Sequence, residues 1–115
     1  MKPRLLAAAL VVLLPAAALA HHGWGSYDAE KVLTLDGTVE GVQPDNPHAE
    51  LKLRTTTKVW RVTLSPPSRM ASRGKPIGDI KPGDRVIAVG YPSRVNDDEI
   101  RAERITHNAF TVELR

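Results

Sequence analysis

The chain has no cysteine in its 115 residues and few large aromatics: two Trp, two Tyr and one Phe. Without cysteine there can be no disulfide framework, which many small secreted domains use in place of a large core. Thiolate chemistry, cysteine metal ligands and a lipid-anchored N-terminus are excluded on the same ground. Long hydrophobic runs are equally scarce. The single one, Leu5 to Leu14, is interrupted by Pro15, well short of the roughly 20 apolar residues that span a bilayer. There is no Gly-rich phosphate loop, no recognisable Ser-His-Asp arrangement and no paired-carboxylate motif. These absences point to a binding module and not to an enzyme.

The first segment has a definite character. Lys2 and Arg4 precede the apolar run, and the run closes on Ala18-Leu19-Ala20. A basic start, a short apolar stretch and a small-residue ending make up a cleavable secretory signal. Residues 1–20 are therefore expected to be removed before His21, which implies a periplasmic or secreted protein with no membrane span after cleavage. Loss of Lys2 and Arg4 lowers the 16 basic residues to 14, against 13 acidic ones. A domain so close to neutral lacks the clustered positive charge on which nucleic-acid affinity rests, so no nucleic-acid partner is expected.

Residues 21–31 are Gly-rich and polar and read as an N-terminal arm. Residues 32–115 read as one small domain. Val32 to Val42 favours a strand, and Asp36-Gly37 within it suggests a glycine bulge that bends one long strand. Pro44 to Pro47 is a turn by composition. Ala49, Leu51 and Leu53 alternate with Glu50, Lys52 and Arg54, the period of a half-buried strand. Trp60, Val62 and Leu64 repeat it after a Thr-rich hairpin connection. In the stretch Ser65 to Gly74, Ser65 is suited to cap a short helix, Pro66 to begin it and Gly74 to end it, with Met70 as its apolar contact. Lys81-Pro82-Gly83-Asp84 is a tight turn. Val86, Ala88 and Gly90 lie on one face of a fourth strand, Ile100 to Ile105 begins a fifth, and Phe110 with Val112 forms a last extended piece.

Three strands, a short helix and two further strands, with a bent first strand, form the plan of a five-stranded OB-fold-like barrel, all-β with one short helix. A small open antiparallel sheet packed on the helix is the alternative. Closure favours the barrel, because it removes exposed strand edges from a domain of this size.

His21-His22-Gly23-Trp24, Leu35-Asp36-Gly37-Thr38-Val39, Asn46-Pro47-His48, Pro66-Pro67-Ser68-Arg69-Met70, Pro82-Gly83-Asp84, Gly90-Tyr91-Pro92 and Arg101-Ala102-Glu103-Arg104-Ile105 together resemble the exported bacterial family known as domain of unknown function 6152 (DUF6152). The resemblance spans nearly all of residues 21–115. It implies an exported, OB-like bacterial domain and brings no activity with it.

Four histidines are the candidate metal ligands: His21, His22, His48 and His107. Cleavage after Ala20 would leave His21 with a free α-amine beside its imidazole. These nitrogens titrate near pH 8 and 6.5, so a divalent ion displaces their protons at modest cost. An all-nitrogen set of this kind suits Cu(II) first, with Ni(II) and Zn(II) behind it. It resembles chemically the histidine brace of some copper proteins. The alternative is a flexible His-His tail, with His48 closing a turn and His107 satisfied inside the fold. Arg69, Arg73, Arg101 and Arg104 are a candidate cationic patch for a small anion, or else an ordinary charged surface paired with Glu99 and Glu103. Asp97-Asp98-Glu99 lacks the alternating ligands and glycine turn of a calcium loop and reads as a solvated hairpin tip. The leading reading is an exported OB-like module holding copper at its processed N-terminus. The second is a metal-free envelope interaction module for a protein, glycan or small anion.

Overall fold

A computed structural model of the chain describes residue 3 and residues 23–115. The expected signal segment, residue 3 apart, and the His21-His22 pair lie outside the described residues. A short 3-10 turn, Trp24–Ser26, is followed by β1 (Leu33–Gln43), β2 (Glu50–Arg54), β3 (Val59–Thr63), helix α1 (Pro67–Ser72), a second 3-10 turn (Ile77–Asp79), β4 (Arg85–Pro92), β5 (Glu99–His107) and β6 (Phe110–Glu113). The strands run β3-β2-β1-β4-β5-β6, and a parallel pairing of β3 with β5 closes the first five into a barrel. The expected five-stranded OB-like barrel is present, with β6 added beyond it.

Closure depends on the bend in β1. Its first half pairs with β4 from Leu33 to Thr38, and its second half pairs with β2 from Thr38 to Gln43. The bulge lies between Val39 and Gly41, so Glu40 is the extra residue and not Asp36-Gly37 as the sequence suggested. Gly37 is required for a different reason: a Cβ there would overlap the Arg54 backbone where β2 crosses. The bulge changes which positions face inward. Leu35 and Val39 are buried before it, and Val42 packs on the core after it. A second bulge, at Glu103 in β5, does the same, so that Ile100 and Ala102 give way to Ile105 and His107 as inward residues.

The core fills the barrel with Leu51, Leu53, Val62, Leu64, Val86, Ala88 and Ile105, and Met70 of α1 covers one end. The alternation read from β2 and β3 is therefore the pattern of burial, with Trp60 packed at its edge. The helix begins one residue later than the sequence suggested. Pro66 is the N-cap, Pro67 opens the first turn, and no side chain caps it. The Ser65 hydroxyl instead donates to the Leu114 carbonyl at 2.5 Å, which ties the C-terminal strand to the helix start. At the other end Gly74 takes φ +90°. The Gly74 N–H reaches the Ala71 carbonyl and the Lys75 N–H reaches that of Met70, the paired bonds of a Schellman ending. Lys75 is thereby turned into the fold.

Gly90 marks the closest approach of β4 to β5. A Cβ at this position would overlap the Arg101 carbonyl and the Ala102 backbone, and neither can yield without breaking the ladder. Forced overlap in a packed interior costs about 1–3 kcal/mol. Gly90→Ala is therefore expected to lower stability by that amount in urea unfolding of the domain. An unchanged midpoint would show that the strands can separate freely at this point.

Candidate functional site

The four sequence-derived arginines do not form one patch. Arg73 donates to the carbonyls of Glu113 and Arg115 at 3.0 and 3.4 Å, and Arg104 pairs with Glu113 at 2.9 Å. Both are spent on holding β6. Arg101 contacts His48 instead, and the charge of Arg69 lies near enough to act on the same imidazole. The pairings also differ from expectation: Glu99 holds Arg61 at 2.6 Å, and Glu103 accepts a hydrogen bond from Tyr91 at 3.0 Å. Glu113 had no place in the sequence reading, since strand β6 has to form before it lies beside Arg104.

Arg101 is the unusual residue. It alternates with the core residues Ile100 and Ala102, so it points out of the barrel, yet it is only 8% exposed. The N-terminal arm covers it. The Trp24 ring centroid lies 4.4 Å from the guanidinium and that of Tyr27 5.9 Å. The arm is held by its own backbone: Tyr27 bridges to Ser93, the Asp28 N–H donates to the Pro92 carbonyl at 2.9 Å, and the Arg94 N–H to that of Ser26 at 3.0 Å. Trp24 also meets Tyr91 edge-on at 6.0 Å. Trp24 thus pins the arm to the barrel.

Between the arm and the barrel lies a cleft of about 360 Å³ lined by Gly23, Tyr27, Pro47, His48, Glu50, Thr63, Glu99 and Arg101. Three of these residues form a row across adjacent strands, because Glu50 pairs with Thr63 in β2 and β3, and Thr63 pairs with Arg101 in β3 and β5. Arg101 Nη2 lies 3.3 Å from His48 Nε2. A guanidinium can only donate, so Nε2 accepts and the His48 proton sits on Nδ1. Burial, and then the positive charges of Arg101 and Arg69, hold the His48 imidazole below its ordinary pKa. Burial, followed by the Glu99 carboxylate, raises the Tyr27 phenol, whose hydroxyl donates to Glu99 at 3.3 Å. Burial also lowers the Arg101 guanidinium from its usual value.

His107 is placed elsewhere. It lies on the same strand six residues beyond Arg101, roughly 20 Å along the chain, and is 1% exposed. Lys75 Nζ donates to its Nδ1 at 2.9 Å, so Nε2 carries the proton and donates to Asp84 at 2.9 Å. That hydrogen bond holds the Asp84 carboxyl below its usual range. Both nitrogens are occupied, so His107 acts as a packed structural residue and does not join His48. Among the described residues no group of three or more His, Asp or Glu side chains is arranged to hold a metal ion. The Asp97 to Glu99 tip is likewise tied up: Lys58 donates to the Asp97 carbonyl at 2.5 Å, and Glu99 belongs to the cleft wall.

The sequence matches the family of unknown function DUF6152 over residues 9–100. The chain belongs to the DUF6152 family. No curated protein matches it. Among solved structures, this DUF6152 chain is similar to a chain of the S. pombe Stn1–Ten1 complex, with 17% identity, a TM-score of 0.55, and coverage of 66% of this chain and 57% of that one. It is also similar to TiaS in its complex with tRNA and ATP, with 20% identity, a TM-score of 0.54, and coverage of 77% and 20%. TiaS lacking its ZRD, in complex with agmatine, gives 19% identity, a TM-score of 0.50, and coverage of 76% and 25%. The DUF6152 chain thus spans from a fifth to somewhat over half of these chains. At such identities the likeness concerns the fold alone.

The His48 environment generates a pH prediction. Its folded pKa lies below the unfolded value near 6.5, so below that value the unfolded chain binds more protons and stability decreases as the pH is lowered. The His48 contribution is whole above pH 6.5 and is lost as the pH drops through the lowered folded value. NMR titration should place His48 below 6.5, and Arg101→Gln should move it upward. A His48 that titrates identically in both proteins would show that the Arg101 charge does not reach it.

Proposed function

We propose that the protein is an exported OB-like binding module that takes a small ligand in the cleft between the N-terminal arm and the barrel. The supporting observation is the convergence there of Tyr27, His48, Glu50, Thr63, Glu99 and Arg101 from separate segments. A concave site with a few converging polar groups and perturbed titrations is the usual form of a small-molecule site. A second depression, of about 320 Å³ over Val42, Lys52 and Arg61, gathers no histidine, tyrosine or buried guanidinium. Export is read from the signal-like residues 1–20, and on that reading the location would be periplasmic or secreted. The near-neutral charge after cleavage supports a small ligand over a nucleic acid.

Two measurements test this reading. Mass spectrometry of protein exported by a bacterial host should find His21 as the first residue. A thermal-shift screen of small polar compounds should give hits that raise the melting temperature by several degrees, as saturating ligands do. Those shifts should disappear in Trp24→Ala, which loosens the arm. Hits indifferent to that change would place binding away from the cleft.

Copper at the processed terminus is the second reading. It is favoured by Gly23, which follows His22 directly in sequence and lines the same cleft as His48. Arg101 against His48 Nε2 opposes it, since a cation would have to use Nδ1 or displace the guanidinium. Calorimetry with Cu(II) should show tight one-to-one binding by cleaved protein and its loss when Gly-Ser precedes His21. Equal binding by both forms would remove copper from consideration.

A further inference from the structure

The cleft has a cation, Arg101, and an anion, Glu50, at opposite ends of one row, and neither makes a direct ion pair among the described residues. Arg101 is more than nine-tenths buried, yet among the described residues it has no carboxylate within ion-pairing distance. Its Nε is buried without a hydrogen-bond partner, and its Nη2 contact is to a neutral imidazole. A buried charge left unpaired is costly, and here the neighbouring positive charge of Arg69 adds to the cost. The nearby Glu99 carboxylate offsets part of that cost through its charge but makes no contact with the guanidinium. Glu99 is committed to Arg61 through Oε1 and to Tyr27 through Oε2. Glu50, two strands across from Arg101 with Thr63 between them, makes no direct ion pair among the described residues, although its charge also acts on Arg61.

We infer that the cleft selects a small zwitterion of the amino-acid class, its carboxylate on Arg101 and its ammonium group toward Glu50, with Thr63 beneath. The inference rests on the cleft reading above. The guanidinium fork matches a carboxylate. Neutral His48 beside it adds no competing negative charge. A phosphate would bring nearly two negative charges at neutral pH toward Glu50 and Glu99, whereas a carboxylate brings one. Glu50 and Arg101 stand two strand spacings apart, roughly 10 Å between backbones. Their side chains, lying on the same side of the sheet, shorten that gap to the scale of a small molecule.

The test is an NMR titration of the domain with L-alanine, acetate, methylammonium, acetamide and inorganic phosphate. Alanine should shift the amides of His48, Thr63 and Arg101 saturably and bind more tightly than acetate, with methylammonium and phosphate weaker than both. Arg101→Gln should weaken alanine by about 10-fold or more, the usual effect of losing a charged hydrogen-bond partner. Because that variant can also loosen the arm, Glu50→Gln and Arg69→Gln provide the independent check. Glu50→Gln should remove the advantage of alanine over acetate while leaving acetate unchanged. Arg69→Gln should weaken both carboxylates. Acetamide binding as well as alanine would overturn the charge assignment while leaving the cleft a ligand site. Phosphate binding at least as tightly as acetate would overturn it as well. A cleft that none of the five probes perturbs would overturn both this inference and the cleft reading.

Discussion

The parallel pairing of β3 with β5 is the contact from which the other arrangements follow. Three residue pairs make it: Arg61 with Glu99, Val62 with Ile100, and Thr63 with Arg101. The middle pair lies in the core, and Glu99, Thr63 and Arg101 of the outer two line the cleft. Without this closure the chain would be an open sheet with β3 as a bare edge. Glu99 would then lose Arg61, and Thr63 would no longer stand between Glu50 and Arg101. Bends elsewhere serve the same closure. Glu40 and Glu103 are the extra residues that let β1 and β5 curve, and Gly90 lets β4 lie close enough to β5.

Covering the outer face at the start of β5 has an electrostatic consequence. On most strands of a small barrel the outward positions are wet, and a charged side chain there titrates as it would in water. Trp24 and Tyr27 change that for Arg101 by excluding solvent without supplying a counter-charge. The side chain receives a cation–π contact, worth more when desolvated than when exposed, and one bond to a neutral histidine. The arm therefore has two effects at once: it walls the cleft and strengthens the field inside it.

At the other end of β5 a buried cation is handled differently. Lys75 reaches His107, and His107 passes the demand to Asp84 at the surface. The neutral imidazole relays a carboxylate's influence to an ammonium group it does not touch. This chain joins the helix ending, the strand end and the turn at Lys81 to Asp84, and all of its members are accounted for within the protein. Contrast with this satisfied cation is what makes Arg101 stand out.

Local composition was enough to give the succession of strands and helix along the chain, the alternation of Leu51, Leu53 and Val62 and the glycine ending of the helix, and to favour the barrel plan over an open sheet, because periodicity and turn chemistry act over a few residues. It was also enough to single out His48 and Arg101 as chemically interesting. It could not place the bulge at Glu40, since Asp36-Gly37 is the stronger local turn signal and only the crossing of β2 assigns Gly37 its other purpose. Ser65 misled for a similar reason: a good helix cap by type, it is drawn away by the Leu114 carbonyl, a partner 49 residues distant in sequence. Four arginines of similar appearance were divided by the tertiary structure, two to β6 and two near His48, while His107 was removed from the ligand set by Lys75 and Asp84. Burial and partnership are properties of neighbours brought together by closure. Residue order along the chain was sufficient to mark the strand segments and the side chains with chemistry to offer. Only the folded barrel, with its arm laid over Arg101, decided which charges would be left without a partner.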